Sequence, residues 1–395
     1  EKLELNGVSY YFVDNQYYFF RDKPYGFLDD GERIAFFCKA VLESLKYVPE
    51  LDCNVLHCND WHTSLIPVFL RELYQGHPKY DKIKTIFTIH NIKFQGVFPK
   101  YYLGDVLGLS GNQAATDQLA FFDSINYMKG ALCYSDYLTT VSPNYAEEIH
   151  TAYFGEKMED IFSRRHEVLF GILNGINIVE YNPKTDKNIP ANYDYKDMYG
   201  KAANKRELQR RLGLSEEPDT PLIVMISRLT EQKGIDLLLR ILEELLEHQK
   251  VQVAILGTGE ACYENAMQDI MSRHHGQMEC VLDFSPSLSH LFYAGGDILV
   301  MPSRFEPCGL SQMIAMRYGT LPVVRETGGL KDSVIPYNEY NGEGNGFSFA
   351  NYNAHELFAV LRYAISIYQE SKDTWNQIIN QAMLIDFSWS ESALQ

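Results

Sequence analysis

Residues 297–311 read Asp-Ile-Leu-Val-Met-Pro-Ser-Arg-Phe-Glu-Pro-Cys-Gly-Leu-Ser. The apolar start of this stretch, Ile298–Met301, has the length of a buried strand, and a helical pattern, Leu310–Tyr318, begins soon after it. Between them lies a polar turn that contains two prolines and one glycine. A strand joined to a helix by a short turn is the repeating unit of a parallel α/β sheet, so this stretch predicts that class of fold.

The same alternation of strand and helix patterns fills both halves of the chain. The predicted strands are Asn54–Cys58, Lys84–His90, Tyr137–Val141, Glu167–Leu173, Leu222–Ser227, Val251–Leu256, Glu279–Phe284, Ile298–Met301 and Leu321–Arg325. The predicted helices are Thr63–Tyr74, Ser142–His150, Gly234–His248, Leu310–Tyr318 and His355–Gln369. The segment Asn174–Asp197 has weak periodicity and many Asn, Pro, Asp and Tyr residues, which is typical of a linker. We therefore predict two parallel α/β domains, residues 1–174 and 175–386, with a cleft between them.

The composition limits the partners that the chain can have. Its net charge of −17 argues against nucleic acid or an anionic membrane as the main partner, and no apolar run reaches the length of a membrane span. Seven cysteines, an odd number without CxxC spacing, indicate reduced thiols in a reducing compartment and no zinc site. An anionic ligand could still bind, but only where a few cations and backbone amides converge.

Residues that directly follow the predicted strands are the first candidates for a site, because ligands bind beyond the carboxyl ends of parallel strands. Arg228 and Lys233 lie on one loop after a strand and are the usual side-chain partners of a diphosphate, although two solvated surface charges would give the same pattern. Pro307 restricts Glu306 to extended conformations that direct its carboxylate out of the sheet. Gly309 then opens a helix whose free amides can hold an anion, while a surface or capping acid is the alternative role for Glu306.

Other candidate segments give weaker evidence for a binding site when each is considered alone. The glycine pair Gly328–Gly329 permits a close backbone approach to phosphate or sugar, but an ordinary turn has the same composition. The turn Gly257–Glu260 begins like a dinucleotide fingerprint, but Cys262 stands where the third glycine would be, so a nicotinamide role is not predicted. His57 and Asp60 are residue types that bind metal ions. His57 lies within a predicted strand and Asp60 lies beyond its end, so we expect their side chains to face different directions. His90 ends a strand and can present its ring or backbone to a sugar hydroxyl, or it can be a satisfied core histidine.

Taken together and in order, these motifs resemble the glycogen and starch synthases. The motifs that carry the resemblance are Asn59–His62, His90-Asn91 with Gln95-Gly96, Leu173–Ile176, Asn182–Asp186, Arg228 with Lys233-Gly234, Glu306–Leu310, Tyr318–Val324 and Thr327–Leu330. The resemblance covers nearly the whole chain, and the Glu-Pro-Cys-Gly-Leu run followed by Tyr-Gly-Thr is specific to that family. It implies a GT-B fold, in which two Rossmann-like domains face each other across a cleft.

The resemblance also implies a reaction and roles for individual residues. The enzyme would transfer glucose from ADP-glucose to the non-reducing end of an α-1,4-glucan with retention of configuration, without a metal or any other cofactor. The implied catalytic residues are Glu306, Arg228, Lys233, His90 and Asp60. The implied donor-binding residues are Arg228, Lys233, Gly257, Cys308, Gly309, Leu310, Thr327 and Gly328. The residues implied on the acceptor or sugar side are His90, Asn91, Gln95 and Asn174.

The chain also departs from the family pattern. Asn177 and Tyr181 replace an Asp and a Trp of the family linker, and Phe284 stands where a Tyr is usual. The family's Lys-x-Gly-Gly-Leu loop does not precede Glu1, and residues 387–395 cover only the start of a C-terminal helix that returns to the first domain in the family. We therefore expect a fragment whose first domain is incomplete and whose activity is low until the upstream segment is restored.

Several alternatives stay open at this point. The chain could act only as a nucleotide-binding or glucan-binding module, or it could be a related GT-B transferase that uses UDP-glucose. The sequence leaves the choice between ADP-glucose and UDP-glucose undecided, as it does the oligomeric state. A bacterial cytoplasm is the expected compartment, with a plastid stroma as the alternative.

Overall fold

The computed structural model describes all 395 residues and divides them into two compact units. The first unit comprises Glu1–Val141 and Ala146–Gly171, and the second comprises Ser142–Tyr145 and Ile172–Gln395. The boundary predicted after residue 174 lies close to this division, and residues 387–395 fall in the second unit.

The first half of the chain carries a parallel sheet with helices and a smaller antiparallel sheet. Its strands are β1 (Lys2–Leu5), β2 (Val8–Tyr11), β3 (Val55–Asn59), β4 (Lys84–Ile89), β5 (Val97–Pro99), β6 (Ala120–Phe121), β7 (Ser124–Asn126), β8 (Tyr137–Thr140) and β9 (Leu169–Gly171). Its helices are α1 (Gln16–Phe19), α2 (Asp30–Tyr47), α3 (Leu65–Glu72), α4 (Tyr102–Asp105), α5 (Gln113–Leu119), α6 (Tyr127–Tyr134), α7 (Pro143–Glu148) and α8 (Glu159–Arg164). The parallel sheet has the order β3-β4-β8-β9, the antiparallel sheet has the order β5-β7-β6, and β1 and β2 form a hairpin.

The second unit contains one six-stranded parallel sheet. Its strands are β10 (Leu222–Ile226), β11 (Gln252–Leu256), β12 (Met278–Val281), β13 (Ile298–Met301), β14 (Leu321–Arg325) and β15 (Phe347–Phe349). Its helices are α9 (Tyr199–Leu212), α10 (Ile235–His248), α11 (Ala261–Arg273), α12 (Pro286–Gly295), α13 (Ser311–Arg317), α14 (Gly328–Ser333), α15 (Ala354–Glu370), α16 (Lys372–Met383) and α17 (Trp389–Ser392).

The strand order of this sheet locates a binding edge. The order is β12-β11-β10-β13-β14-β15, with every pair parallel, which corresponds to the order 3-2-1-4-5-6 of the doubly wound nucleotide-binding sheet. The order reverses between β10 and β13, and ligands of such sheets bind beyond the carboxyl ends of the strands at that switch point. The loops that carry Arg228, Lys233 and Glu306 follow β10 and β13.

The core of the second unit explains why its strands are almost continuously apolar. All residues of β11, β13 and β14 are buried, because helices cover both faces of a parallel sheet. Helix α10 is amphipathic and buries one face, including Ile235, Leu238 and Leu242, while its Glu and Arg residues lie on the other. No helix of the structure combines the length and the apolar character that are needed to cross a membrane.

The predicted linker, Asn174–Asp197, belongs to the second unit instead of joining two units; it has no helix or strand, and a buried polar network anchors it. Within the second unit, the Asp186 carboxylate accepts hydrogen bonds from Tyr318 Oη at 2.5 Å and from His290 Nδ1 at 2.7 Å. Burial alone would raise the pKa of Asp186, but these hydrogen bonds and one from the Asn188 backbone outweigh it and lower that pKa. The ring of Tyr181 stacks on His290, with centroids 4.9 Å apart.

The sequence patterns predicted nine of the fifteen strands and five of the seventeen helices. The bounds of β13 and β14 are as predicted, and α10 begins one residue after its predicted start. Strand β12 ends at Val281 instead of the predicted Phe284, because the chain turns there to place Ser285 as the N-cap of α12. Among the helices that the sequence analysis missed, α2, α9, α11, α12 and α16 have ten or more residues, and the missed strands are β1, β2, β5, β6, β7 and β15.

The loop after β10 contains Gly234, which has no space for a side chain. We therefore predict that alanine at this position lowers the free energy of unfolding more than alanine at another left-handed glycine, Gly213. Gly234 and Gly213 both have left-handed backbones, with φ of +70° and +68°. A Cβ on Gly234 would lie 2.0 Å from the Pro302 carbonyl oxygen, whereas nothing lies within 4 Å of one on Gly213. We expect Gly213→Ala to cost about 1 kcal/mol, the price of the left-handed conformation alone, and Gly234→Ala to cost more than about 3 kcal/mol. Thermal unfolding measures both, and equal losses would show that the contact with Pro302 does not constrain the loop.

Candidate functional site

Backbone hydrogen bonds hold the loop after β10 beside the loop after β11. The Leu229 amide donates to the Thr258 carbonyl at 2.9 Å, and the Glu260 amide donates to the Leu229 carbonyl at 2.8 Å. Gly257 lies so close to the first loop that a Cβ on it would be 1.8 Å from the Ser227 carbonyl oxygen. This explains the half-match to a dinucleotide fingerprint, because the glycines serve loop packing here.

The loop after β10 is also fixed to the loop after β13. The Arg304 amide donates to the Gln232 carbonyl at 2.9 Å, and the Arg304 side chain pairs with Glu231. On the far side of this loop, a Cβ on Gly328 would lie 2.0 Å from the Glu306 carbonyl oxygen. The three loops after β10, β13 and β14 are therefore packed together at backbone distance.

The ion pair of Lys233 and Glu306 lies at the centre of this arrangement. Lys233 Nζ lies 2.6 Å from Glu306 Oε2, and Ser303 Oγ donates to the same carboxylate oxygen at 3.0 Å. Both charged side chains are largely buried, with 16% and 9% of their surface exposed. A cation and a carboxylate in one water-poor place can stabilise charges of both signs, because electrostatic interactions are stronger where solvent is excluded.

A pocket of about 340 Å³ opens at the carboxyl ends of β10, β11 and β12. It is lined by Tyr181, Ile226, Ser227, Arg228, Leu256, Gly257, Thr258, Asp283, Phe284, Ser285, Pro286 and Ser289. The Phe284 ring is 85% exposed, and the Arg228 side chain is exposed and takes part in no ion pair. An exposed ring, an apolar wall and one guanidinium form a site for a flat heterocycle that carries an anionic group.

The remaining residues predicted for the donor lie on the loops that follow β13 and β14. Cys308 is buried, and burial raises the pKa of its thiol to about 12, so the thiol is neutral at physiological pH. Gly309 has a φ of +71°, and Leu310 precedes α13 with nearly half of its surface exposed. Thr327 is fully buried at the N-cap position of α14.

On the first unit, Asp60 and His90 lie together at the carboxyl ends of β3 and β4. The Asp60 carboxylate accepts a hydrogen bond from the His90 backbone amide at 2.8 Å. His90 Nε2 and Asn59 Oδ1 are 2.9 Å apart. Asp60 has a φ of +55°, a left-handed conformation that few non-glycine residues adopt. The strained aspartate thus fixes the backbone of the histidine, and the asparagine orients its ring.

Of the other two histidines of this region, His57 has an internal hydrogen-bond partner, whereas the buried Nε2 of His62 has none. His57 Nε2 lies 2.6 Å from Thr88 Oγ1, and burial lowers the pKa of His57. The His62 ring packs on Trp61 at 4.1 Å between centroids, and burial also lowers the pKa of His62. No three His, Cys, Asp or Glu side chains of the chain converge as metal ligands would.

The residues predicted on the sugar side have different environments. Asn91 accepts a hydrogen bond from the Lys93 amide in a local turn. Gln95 is buried, and its side chain bonds to the Glu156 carbonyl at 3.0 Å and to Asn126 at 2.6 Å. Asn174 belongs to the second unit, where its backbone amide faces the Cys308 thiol.

Sequence reasoning missed one wall of the 340 Å³ pocket. Tyr181, Asp283, Ser285 and Ser289 line it but were not predicted as site residues. The rule that ligands bind after strand ends would have found Asp283 and Ser285 if β12 had been ended at Val281. Tyr181 carries no local signal, because it reaches the pocket from the irregular segment through its stacking on His290.

Comparisons with known proteins give consistent matches over the whole chain. Residues 1–164 match the family model for the starch synthase catalytic domain, and residues 205–381 match that for glycosyl transferases group 1. A glycogen synthase of Bacillus cereus is 47% identical over 393 residues, which cover 100% of this chain and 82% of that protein. A glycogen synthase of Desulfitobacterium hafniense is 46% identical, with 100% and 81% covered.

Comparison with solved structures also identifies a starch synthase. The catalytic domain of starch synthase IV from Arabidopsis thaliana, bound to ADP and acarbose, matches with a TM-score of 0.90 and 33% identity over 99% of this chain and 81% of that one. Sucrose-phosphate synthase from Thermosynechococcus elongatus matches with a TM-score of 0.59 and 18% identity, over 92% and 76% of the two chains, which concerns the fold alone.

The buried ion pair predicts a non-additive pair of substitutions. Lys233→Met leaves the Glu306 carboxylate buried without its cation, so we expect a loss of about 2–3 kcal/mol in the free energy of unfolding at pH 7. Adding Glu306→Gln to that variant removes the unpaired charge and should restore most of the loss. Denaturant unfolding of both single variants and the double variant measures the coupling. Additive losses would show that the pair does not act as a unit.

Proposed function

Because this chain belongs to the glycogen and starch synthase family, we propose that it transfers glucose from ADP-glucose to the non-reducing end of an α-1,4-glucan, with retention of configuration. Its fold is the GT-B fold that the sequence predicts, and its family is one of glycosyltransferases. The observation that carries the proposal is the placement of Arg228, Lys233 and Glu306 at the switch point between β10 and β13.

We assign the diphosphate of the donor to Arg228 and Lys233. Arg228 borders the 340 Å³ pocket, and Lys233 lies on the same loop, held to Glu306. When the bond between glucose and phosphate breaks, negative charge accumulates on the departing diphosphate, and two fixed cations stabilise it. Each well-placed donor of this kind is typically worth about 2.7–4 kcal/mol in the transition state.

Glu306 serves the other side of the breaking bond. As the leaving group departs, the glucose acquires oxocarbenium character, and a nearby carboxylate stabilises that positive charge. A retaining glycosidase would need two carboxylates about 5–5.5 Å apart, and Glu306 has a cation as its close partner instead. We therefore propose that the departing phosphate itself accepts the proton of the incoming hydroxyl on the same face of the sugar.

The proposed donor nucleotide is ADP. The pocket beside Arg228 offers the exposed Phe284 ring and the Tyr181 ring as platforms for a purine. Support also comes from the starch synthase IV structure, which is 33% identical and was solved with ADP. Phe284 lacks the hydroxyl that is usual at this place in the family, so stacking would carry the recognition.

We assign His90 and Asp60 on the first unit to the sugar side of the reaction. The hydrogen bond from the His90 amide to Asp60 and the bond of its ring to Asn59 hold the imidazole in one orientation. Neither a metal ion nor another cofactor is part of the proposal, because Arg228 and Lys233 supply the cations that a diphosphate needs. The proposed compartment is a bacterial cytoplasm, in line with the bacterial relatives.

Substitution of the proposed diphosphate ligands tests the reaction. We expect Arg228→Ala and Lys233→Ala to lower the rate of glucose transfer from radiolabelled ADP-glucose to glycogen by at least about 100-fold, because each removes a charge that stabilises the leaving group. Lys250→Ala is the matched control, since Lys250 is exposed and pairs only with Glu217 at the surface. The circular dichroism spectrum should be unchanged, and EDTA should not alter the rate. Near-parental rates in either variant would contradict the assignment.

The choice of nucleotide is tested by binding alone. We expect the chain to bind ADP at least about tenfold more tightly than UDP in isothermal titration calorimetry, because the larger purine stacks better on Phe284. Phe284→Ala should weaken ADP binding about tenfold, whereas Tyr340→Ala, which removes a ring that is 92% exposed elsewhere on the same unit, should not change it. Tighter binding of UDP would favour UDP-glucose as the donor.

A further inference from the structure

The turn that carries Glu306 is tied to the rest of the second unit through its carbonyl oxygens. The Gly329 amide donates to the carbonyls of Glu306 and Pro307, at 3.2 and 3.1 Å. The Pro307 carbonyl accepts a second hydrogen bond from Ser142 Oγ at 2.7 Å. Both lone pairs of this oxygen are therefore used, and the peptide plane that follows Pro307 cannot rotate without breaking two hydrogen bonds.

Ser142 comes to this turn from a distant part of the sequence. It is fully buried and belongs to the second unit, although it follows the end of β8 after one residue. The Tyr145 amide donates to Ser142 Oγ at 3.1 Å, which fixes the position of the hydroxyl. The Asp332 carboxylate, on α14, accepts a hydrogen bond from the Asn144 amide at 2.8 Å and holds the same short segment. The hydroxyl that bonds to Pro307 is thus itself firmly anchored.

Gln312 holds the other half of the turn. Its Nε2 donates to the Cys308 carbonyl at 3.2 Å and to the Gly309 carbonyl at 2.9 Å. The same nitrogen lies 3.0 Å from Ser333 Oγ, and the whole side chain is buried. All four carbonyls of residues 306–309 therefore have partners inside the second unit. The turn has no helix or strand hydrogen bonds of its own, so these partners set its conformation.

Folding alone gives little reason for a glutamine at position 312. Its Oε1 is buried and has no hydrogen-bond partner, and an unpaired buried acceptor lowers the free energy of unfolding. A methionine has a similar volume and would fill the space without an unpaired oxygen. The observation that distinguishes glutamine is the pair of carbonyls that its Nε2 holds.

The conformation of the turn decides where the Glu306 carboxylate lies. Lys233 and Ser303 hold this carboxylate at 2.6 and 3.0 Å, which sets its position relative to the loop after β10. The carbonyl partners of the turn set its position relative to the sheet. Both are needed, because a displacement of about 1 Å at a reacting group can lower a rate about 100-fold.

We propose that Ser142 and Gln312 are positioning residues for Glu306: by holding the carbonyls of residues 306–309, they keep its carboxylate at the positive charge that develops on the glucose. The assignment rests on the proposed function. Neither residue was singled out by the sequence analysis as a site residue, because each acts through the backbone of the turn.

A double-mutant cycle in the transfer rate tests this role. We expect Ser142→Ala and Gln312→Met each to lower kcat about tenfold in glucose transfer from radiolabelled ADP-glucose to glycogen. The affinity for ADP in isothermal titration calorimetry should stay within about twofold, because Arg228 is unchanged. In a Glu306→Gln background neither substitution should lower kcat further, since no carboxylate is left to position. Equal factors in both backgrounds would show that the residues act independently of Glu306 and would overturn the proposal.

Gln252→Met is the matched control for Gln312→Met. Gln252 is also a buried glutamine of the second unit, and its Nε2 donates to the Ser215 carbonyl at 2.7 Å. It is the first residue of β11 and so lies at the opposite end of the sheet from the turn. We expect both variants to lower the melting temperature, but Gln252→Met to keep kcat within about twofold. Equal losses of kcat would show that the rate only follows stability, which would also overturn the proposal.

A cycle in stability tests the hold on Glu306 without any activity. Denaturant unfolding of Lys233→Met, Glu306→Gln and their combination gives the coupling between the two side chains. We expect this coupling to fall by about half or more when the cycle is repeated in a Gln312→Met chain, and to be unchanged in a Gln252→Met chain. Unchanged coupling in the Gln312→Met chain would overturn the inference and leave the proposed function standing. Reduced coupling in a chain that transfers no glucose would contradict the proposed function alone.

Discussion

The ion pair between Lys233 and Glu306 joins the two strands at which the order of the second sheet reverses. Lys233 comes from the loop after β10 and Glu306 from the loop after β13, and their charged atoms lie 2.6 Å apart in a largely buried place. A buried pair of this kind contributes little net stability, because desolvation offsets most of the attraction. Its contribution is geometric, since each partner fixes the position of the other, which is what the proposed roles of Lys233 at the diphosphate and Glu306 at the developing positive charge require.

This arrangement depends on glycines that let four loops, those after β10, β11, β13 and β14, approach at backbone distance. Gly234, Gly257 and Gly328 each lie so close to a carbonyl oxygen that any side chain would overlap with it. Such contacts leave no freedom for the loops to adjust, so the charged groups are organised before a ligand arrives. Preorganisation of this kind is what makes electrostatic stabilisation of a transition state effective.

The sequence predicted the sheet of the second unit well, because buried parallel strands such as β13 and β14 are continuous apolar runs with sharp ends. It also placed Arg228, Lys233 and Glu306 on the loops that follow β10 and β13, as the structure has them. Helices such as α9 were missed because their buried face includes Lys201 and Lys205, so no apolar stripe marks it. The place of Tyr181 in the pocket depends on tertiary contacts with His290, which no local pattern encodes.

Because Tyr181 lines the 340 Å³ pocket and stacks on His290, the stability of the segment 174–197 is coupled to ligand binding in that pocket. His290 bonds to Asp186, and Asp186 accepts from Tyr318, so the pocket wall rests on a network that reaches across the unit. A ligand that contacts Tyr181 stabilises that network. By linkage, an intact network strengthens the binding of the ligand by the same free energy. Any substitution that loosens Asp186 therefore weakens the binding of a ligand in this pocket by the same free energy by which that ligand protects the network from opening, even though Asp186 does not line the pocket.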